Sequence, residues 1–174
     1  MAFDVKQAVI DRLRATKRDG IETVIDYMSK HGFFAYHCYH HHRYNGGLAS
    51  HAWQTYQVAL RLNTERCAQD ANAQTLDADS IAIAALLHDV CNCSGMRDVK
   101  GHGRRSAKLL KELGFKLSQD EFFAVRFHMG LSKKKSHPLY DDAKRCELSR
   151  LIHKADGISA SFQKGYAIPT EKLA

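Results

Sequence analysis

Proline, long apolar runs and a signal segment are scarce or lacking in this chain. Only 2 prolines occur among 174 residues, and stretches of helix-forming residues lie between short breaks that contain glycine. This pattern predicts an all-α protein. No apolar run reaches the roughly 18 residues that a membrane span requires, and the opening residues MAFDVKQ lack the apolar segment of a signal peptide. We therefore expect a cytoplasmic protein that does not act at a membrane.

Cysteine and clustered positive charge are also limited. The 5 cysteines are odd in number and irregularly spaced, which fits a reducing compartment better than a disulfide framework. The formal charge is +7, but the lysines and arginines are scattered, so small anionic substrates explain the charge as well as nucleic acid does. The length is ordinary for one domain, and we predict a single domain over residues 1–163 and a tail over 164–174.

The apolar stretch Ser80–Asn92, with the sequence SIAIAALLHDVCN, is the feature around which we expect the chain to fold. From Ile81 to Leu87 it is apolar on every side of a helical wheel, which predicts a buried central helix. His88 and Asp89 follow side by side where that helix ends. Burying an imidazole and a carboxylate costs several kcal/mol unless they are paired or bind a cation. A metal ion would offset that cost.

Histidine is the abundant residue, with 11 in the chain. Between Gly32 and Gly47 the sequence is aromatic and histidine-rich and has no helical period, which predicts a loop. This loop contains His40, His41 and His42 in succession. Three consecutive side chains cannot converge on one ion from regular structure, so we expect them to line a site rather than to bind a metal.

Two other helices carry a histidine or a carboxylate near their apolar faces. The paired glycines 46–47 allow a close backbone approach and open a helix that runs to about Arg66, with His51 in its first turns. A lone histidine there is more often packed in the core than bound to a metal. The final helix, predicted over residues 143–163, places Asp156 beside its core stripe, where a carboxylate needs a partner.

A glycine-rich segment opens the helix that follows the central one. Gly-His-Gly at 101–103 precedes Arg104 and Arg105, and free backbone N–H groups together with fixed positive charge suit an anion. A solvated basic turn is the alternative interpretation. The next helix begins with a capping box formed by Ser118 and Glu121 and ends in RFHMG.

Taken together, these motifs resemble a known family. GGLASH at His51, LLHDV at His88 and Asp89, and HKAD at Asp156 are similar to the His…His-Asp…Asp signature of the HD-domain superfamily of metal-dependent phosphohydrolases. GHGRRSAKLL and RFHMG resemble the segments around two extra histidines in its dinuclear members. The resemblance spans residues 43–160. It implies a compact multi-helix HD-domain bundle with a central metal site.

The resemblance also implies a set of metal ligands. The first ion would be bound by four residues: His51, His88, Asp89 and Asp156. In dinuclear members the aspartate of the HD pair bridges, so a second ion would be bound by Asp89, His102 and His128. Imidazole and carboxylate ligands suit divalent Fe, Mn, Co, Ni or Zn.

One position departs from the family pattern. Many members have a lysine three residues after the HD aspartate, whereas this chain has Asn92. We therefore predict that Arg104 or Arg105 contacts the phosphate instead. Three residues are candidates for the acid that protonates the leaving group: His41, His42 and Lys154.

The implied reaction is hydrolysis of a phosphate ester. Two metal ions would activate a water and neutralise charge on the phosphoryl oxygens, with a nucleotide or another small phosphorylated metabolite as substrate. Two alternatives stay open. The six ligands also resemble those of di-iron oxygenases of the same superfamily, such as myo-inositol oxygenase. A nucleotide-binding or nucleic-acid-binding module that keeps a metal only for stability would use the positive charge instead.

Overall fold

The computed structural model describes residues 3–94, 101–131 and 137–162. Within these ranges the chain forms eight α-helices, one 3-10 helix and no β-strand, which confirms the all-α prediction. The predicted tail, residues 164–174, lies outside the described ranges. The α-helices are α1 (Val5–Ala15), α2 (Ile21–Lys30), α3 (Gly47–Gln69), α4 (Ala78–Leu87), α5 (His102–Glu112), α6 (Gln119–Phe127), α7 (Tyr140–Arg145) and α8 (Glu147–Ser161); the 3-10 helix is Val90–Ser94.

Helix α4 is the centre of the bundle. Every residue from Ile81 to Leu87 is fully buried, and α4 packs against α1, α3, α6 and α8. Each buried Ile or Leu side chain contributes about 1.5–3 kcal/mol relative to exposure, so this apolar helix is held inside the fold. It ends at Leu87 and gives way to the 3-10 helix. The chain therefore turns at His88 and Asp89, as the sequence predicts, and the turn lies within the core.

Two predicted helix boundaries were wrong. The final helix, predicted over 143–163, is divided into α7 and α8, because Cys146 between them is extended and its thiol caps α8 at the backbone N–H of Ser149. Helix α3 continues past Arg66 to Gln69. The Arg66 guanidinium contacts both Glu147 and the carbonyl of Gln74, which ties the link between α3 and α4 back onto α3. Among the described helices none is long and apolar enough to cross a membrane.

A buried carboxylate joins α6 to two other parts of the bundle. The capping box predicted for Ser118 and Glu121 is present, and the Glu121 side chain is fully buried. Its oxygens accept hydrogen bonds from Arg18 Nη1 at 2.7 Å, Ser80 Oγ at 2.9 Å and the Ser118 N–H at 2.8 Å. The start of α6 is thereby fixed to α4 and to the turn before α2.

Replacing Glu121 with alanine should lower the free energy of unfolding by about 2 kcal/mol, because the donor groups of three residues lose a buried charged acceptor. Urea unfolding of metal-free protein measures this change. Glu22→Ala is the matched control: its carboxylate is 60% exposed and pairs with Arg14, so its loss should shift the urea midpoint far less than the loss of Glu121 does. Equal midpoints for the two variants would contradict a stabilising role for the buried network.

Candidate metal centre

The six residues predicted as metal ligands converge at one place inside the bundle. They come from five separate helices or helix ends, and all are buried, with exposures from 0 to 9%. Three of these segments are helices α3, α5 and α8, and the other two are the residues that directly follow α4 and α6. The residues are His51, His88, Asp89, His102, His128 and Asp156.

One half of the cluster joins α3, the end of α4 and α8. The Nε2 atom of His51 lies 3.0 Å from Oδ1 of Asp156 and 3.2 Å from Nε2 of His88. The Nε2 atom of His88 lies 3.8 Å from the same Asp156 oxygen. Three ligand atoms from distant segments thus surround one position.

The other half joins the end of α4 to α5 and α6. Oδ1 of Asp89 lies 3.1 Å from Nε2 of His102 and 3.6 Å from Nε2 of His128, and these two nitrogens are 2.7 Å apart. The second oxygen of Asp89, Oδ2, lies 3.7 Å from Nε2 of His88. Asp89 therefore faces both halves, one oxygen to each, which is the placement that a bridging carboxylate needs.

Hydrogen bonds at the ends of α4 and α6 fix which nitrogen of two imidazoles is available. Nδ1 of His88 lies 2.7 Å from the Ala85 carbonyl, and Nδ1 of His128 lies 2.8 Å from the Val125 carbonyl. A carbonyl only accepts, so each Nδ1 carries the hydrogen and each Nε2 presents a lone pair to the cluster. This is the usual arrangement of a metal-binding histidine.

The donor set fits a divalent metal. Oδ1 of Asp89 is buried and has no hydrogen-bond partner among the described residues, although such oxygens are normally satisfied. The Nε2 lone pairs of His88 and His128 also face carboxylate oxygens. Lone pairs and carboxylates repel each other unless a cation lies between them. The ligand atoms of Asp89, His102 and His128 lie within 4.8 Å of one another, and so do those of His51, His88 and Asp89. Mixed nitrogen and oxygen ligands suit first-row transition metals.

Electrostatics keep the cluster in the protonation states that metal binding requires. Burial raises the pKa of the Asp89 carboxyl, but His88, His102 and His128 outweigh this effect and hold it well below its usual range. The pKa of Asp156 is likewise lowered, because His51 and His88 outweigh its burial. Burial and the neighbouring His88 lower the pKa of His128 to about 4. Both carboxylates are therefore charged, and His128 is neutral, at ordinary pH.

Two glycines allow the backbone approaches that place these side chains. A Cβ at Gly103 would lie 2.6 Å from the carbonyl oxygen of Arg126 and 2.8 Å from that of Val125, so the start of α5 can lie against the end of α6 only with glycine there. A Cβ at Gly47 would collide with the carbonyl of His42. The close approach predicted for the paired glycines is therefore present at Gly47.

A cavity of about 980 Å³ opens onto the cluster. Four of the six predicted ligands line it, and most of the other lining residues belong to the loop between α2 and α3, including His40 and His41. Asn92 also lines the cavity. Large apolar side chains stand exposed at the same cavity: Tyr36 (46%), Tyr39 (54%) and Met129 (55%).

The predicted phosphate contacts lie elsewhere. Neither Arg104 nor Arg105 is among the residues that line the cavity. Arg104 is exposed and follows His102 by two residues, so it points to the opposite side of α5. Arg105 interacts with the thiol of Cys91. Among the described residues, the arginine that lines the cavity is Arg43. It lies in a loop whose aperiodic sequence gave no signal for its direction.

The three candidates for the leaving-group acid differ in position. Lys154 is exposed and absent from the cavity wall, because it lies two residues before Asp156 on α8. His42, in the loop between α2 and α3, is buried and does not line the cavity; its Nε2 lies 2.7 Å from Oε1 of Gln54. His41 lines the cavity, but burial, with His51 and His42 nearby, lowers its pKa to about 4. His153 was not among the predicted site residues, but it lines the cavity and is three residues from Asp156, a spacing that shares a helix face.

The helical bundle and its buried His and Asp cluster define a candidate metal-dependent enzyme. A family model described as the HD domain matches residues 48–161, more than half of the chain. The protein therefore belongs to the HD-domain superfamily of metal-dependent phosphohydrolases, which confirms the resemblance seen in the sequence. No curated protein and no solved structure gives a significant match.

Proposed function

We propose that this protein is a metal-dependent phosphohydrolase that acts on a nucleotide or another small phosphate ester. The observation that carries the proposal is the placement of Asp89, with its two oxygens facing the two halves of a buried cluster that opens into a cavity. Divalent ions bound there would supply an activated water and charge neutralisation at the phosphoryl oxygens.

The chain's own residues would hold and orient these partners. Asp89 and Asp156 carry the negative charge that retains cations, and the fixed tautomers of His88 and His128 direct their lone pairs inward. The surrounding helices cover the side of the cluster away from the cavity, because His51 and His88 are fully buried and do not line it. Attack would therefore come from the cavity, which four of the six predicted ligands line.

The residues that line the cavity suit a substrate that carries both an anionic group and an aromatic ring. Arg43 can bind phosphate oxygens as a bidentate donor. Tyr36 and Tyr39 expose aromatic surface that can stack on a base. A volume of about 980 Å³ lies at the upper end of ordinary small-molecule sites, and a nucleotide fits that size. These three features support a nucleotide over a plain sugar phosphate.

Metal analysis and a hydrolysis screen test the proposal. Purified protein should contain one or two divalent transition-metal ions per chain, and a chelator should lower hydrolysis of phosphate esters at least 100-fold, because the activated water and charge neutralisation are lost together. Adding back Mn²⁺ or Co²⁺ should restore the rate. The screen would contain nucleoside monophosphates, cyclic nucleotides, sugar phosphates and bis-p-nitrophenyl phosphate.

Other results would favour the other functions. Turnover that consumes oxygen and needs iron, with no ester hydrolysed, would indicate an oxygenase. Steeply salt-dependent binding of nucleic acid without turnover would indicate a binding module. Protein that binds no metal ion under any of these conditions would contradict the proposed site itself.

A further inference from the structure

We propose that His41 is an additional metal ligand, bound through Nε2 to the ion in the half of the centre formed by His51, His88 and Asp156. This inference rests on the proposed metal centre. It extends the ligand set to the loop between α2 and α3, which neither the HD motifs nor residues 48–161 of the family match include.

His41 lies beside the first half of the cluster. Its ring centroid is 4.4 Å from that of His51, and it lines the cavity that opens onto the cluster. The ligand atoms of His41, His42 and His51 lie within 4.8 Å of one another. The loop therefore brings one more imidazole to the edge of the centre.

A chain of hydrogen bonds assigns the lone pair of His41. Nε2 of His42 lies 2.7 Å from Oε1 of Gln54; an amide oxygen only accepts, so this nitrogen carries the hydrogen. Nδ1 of His42 then accepts from Nδ1 of His41, 3.0 Å away. The hydrogen of His41 is thus on Nδ1, and its lone pair is on Nε2. A ligating histidine is normally oriented in this way, by a partner on its other nitrogen.

The three imidazoles do not form a separate ion site. A neutral imidazole has one nitrogen lone pair that can bind a metal, and in His42 that lone pair, on Nδ1, accepts the hydrogen bond from His41. The Nε2 atom of His51 faces Asp156 and His88, while its Nδ1 lies 3.3 Å from Oγ of Ser159. Of the three residues, His42 has no lone pair left for an ion, whereas His51, already a predicted ligand, and His41 can each direct the lone pair of Nε2 to the centre.

The backbone is strained where it supports His41. His42 has φ +47°, a left-handed conformation that is unfavourable for a residue other than glycine. The carbonyl of His42 accepts from the Tyr44 N–H at 2.9 Å and packs on Gly47, where a side chain would not fit. Such strain is found at functional sites, held by the surrounding structure. Here the contacts of the His42 carbonyl with Tyr44 and Gly47 keep His41 and His42 in the positions that the hydrogen-bond chain requires.

Titration of metal-free protein with Co²⁺, followed by visible absorption and calorimetry, tests this inference. His41→Ala should weaken at least one Co²⁺ binding event by about tenfold or more, and added imidazole should restore the affinity by filling the space that the side chain leaves. His31→Ala is the control: His31 stacks on Tyr27 at the end of α2, lies outside the cavity wall, and should bind Co²⁺ as the parent does with and without imidazole.

Each outcome decides between the possibilities. Wild-type affinity in His41→Ala would overturn the inference and leave the proposed function standing. Weakened binding that imidazole does not restore would also overturn it, because His41 would then act through the structure of the loop. Failure of the wild-type protein to bind Co²⁺ would contradict the metal centre, and with it the proposed function.

Discussion

Replacing Asp89 with asparagine should lower the rate of phosphoester hydrolysis by about 10³-fold or more and should reduce the metal content. Asparagine keeps the size of the side chain and removes its charge. The carboxylate faces His88 with one oxygen and both His102 and His128 with the other, so losing the charge affects both halves at once.

Metal analysis alongside steady-state kinetics measures this effect. Asp26→Asn is the control: its carboxylate is 71% exposed and lies 3.9 Å from Lys30 on the surface of α2, so the same chemical change there should alter neither metal content nor rate. The assignment of Asp89 as the shared ligand would be wrong if Asp89→Asn kept its full metal content and its turnover.

Replacing Gly103 with alanine should lower the free energy of unfolding by about 3 kcal/mol, at the upper end of the range for overpacking. The added Cβ would meet the carbonyl oxygens of Arg126 and Val125 at 2.6 and 2.8 Å. These are backbone atoms at the end of α6 and cannot rotate away, so the start of α5 has to move. That movement separates His102 from His128, and binding at the second half should weaken at least tenfold.

Gly157→Ala provides the matched change for stability. Gly157 lies within α8, and a Cβ there would meet nothing within 4 Å, so alanine should raise stability by up to about 1 kcal/mol through its higher helix propensity. Thermal unfolding of metal-free protein compares the two variants. If both gave the same melting temperature and Gly103→Ala bound metal like the parent, the contact between α5 and α6 would not be what positions the two histidines.

Local features of the bundle could be predicted because their causes lie within a few residues. The stretch from Ile81 to Leu87 has no polar face that could be turned to solvent. It is therefore predicted to be buried on all sides, and every residue in it is buried. The capping box of Ser118 and Glu121 is a contact within one helical turn. The sequence predicted helix boundaries less well where they depend on contacts outside the helix. The end of α3 is an example, because the Arg66 side chain contacts Glu147 of α8 and the carbonyl of Gln74.

The ligand set has a mixed origin. The pairing of His88 with Asp89 at the end of an apolar helix indicates a cation from physical chemistry alone, because burying both groups without one is costly. The remaining ligands came from resemblance to the HD superfamily. Only the tertiary structure shows that Asp89 divides its oxygens between two halves and that carbonyls of α4 and α6 fix the lone pairs of His88 and His128.

The sequence by itself determined the helical class, the buried central helix and the position of the His-Asp pair where that helix ends, since periodicity and apolar character act locally. The structure decided which polar residues reach the cavity. Arg43 and His41 lie in a loop without a period, so nothing local sets their direction; Gly47 and the strained backbone of His42 set it through contacts with α3. On α8, direction follows helical geometry, and His153 rather than Lys154 shares the side of Asp156 that faces the cavity.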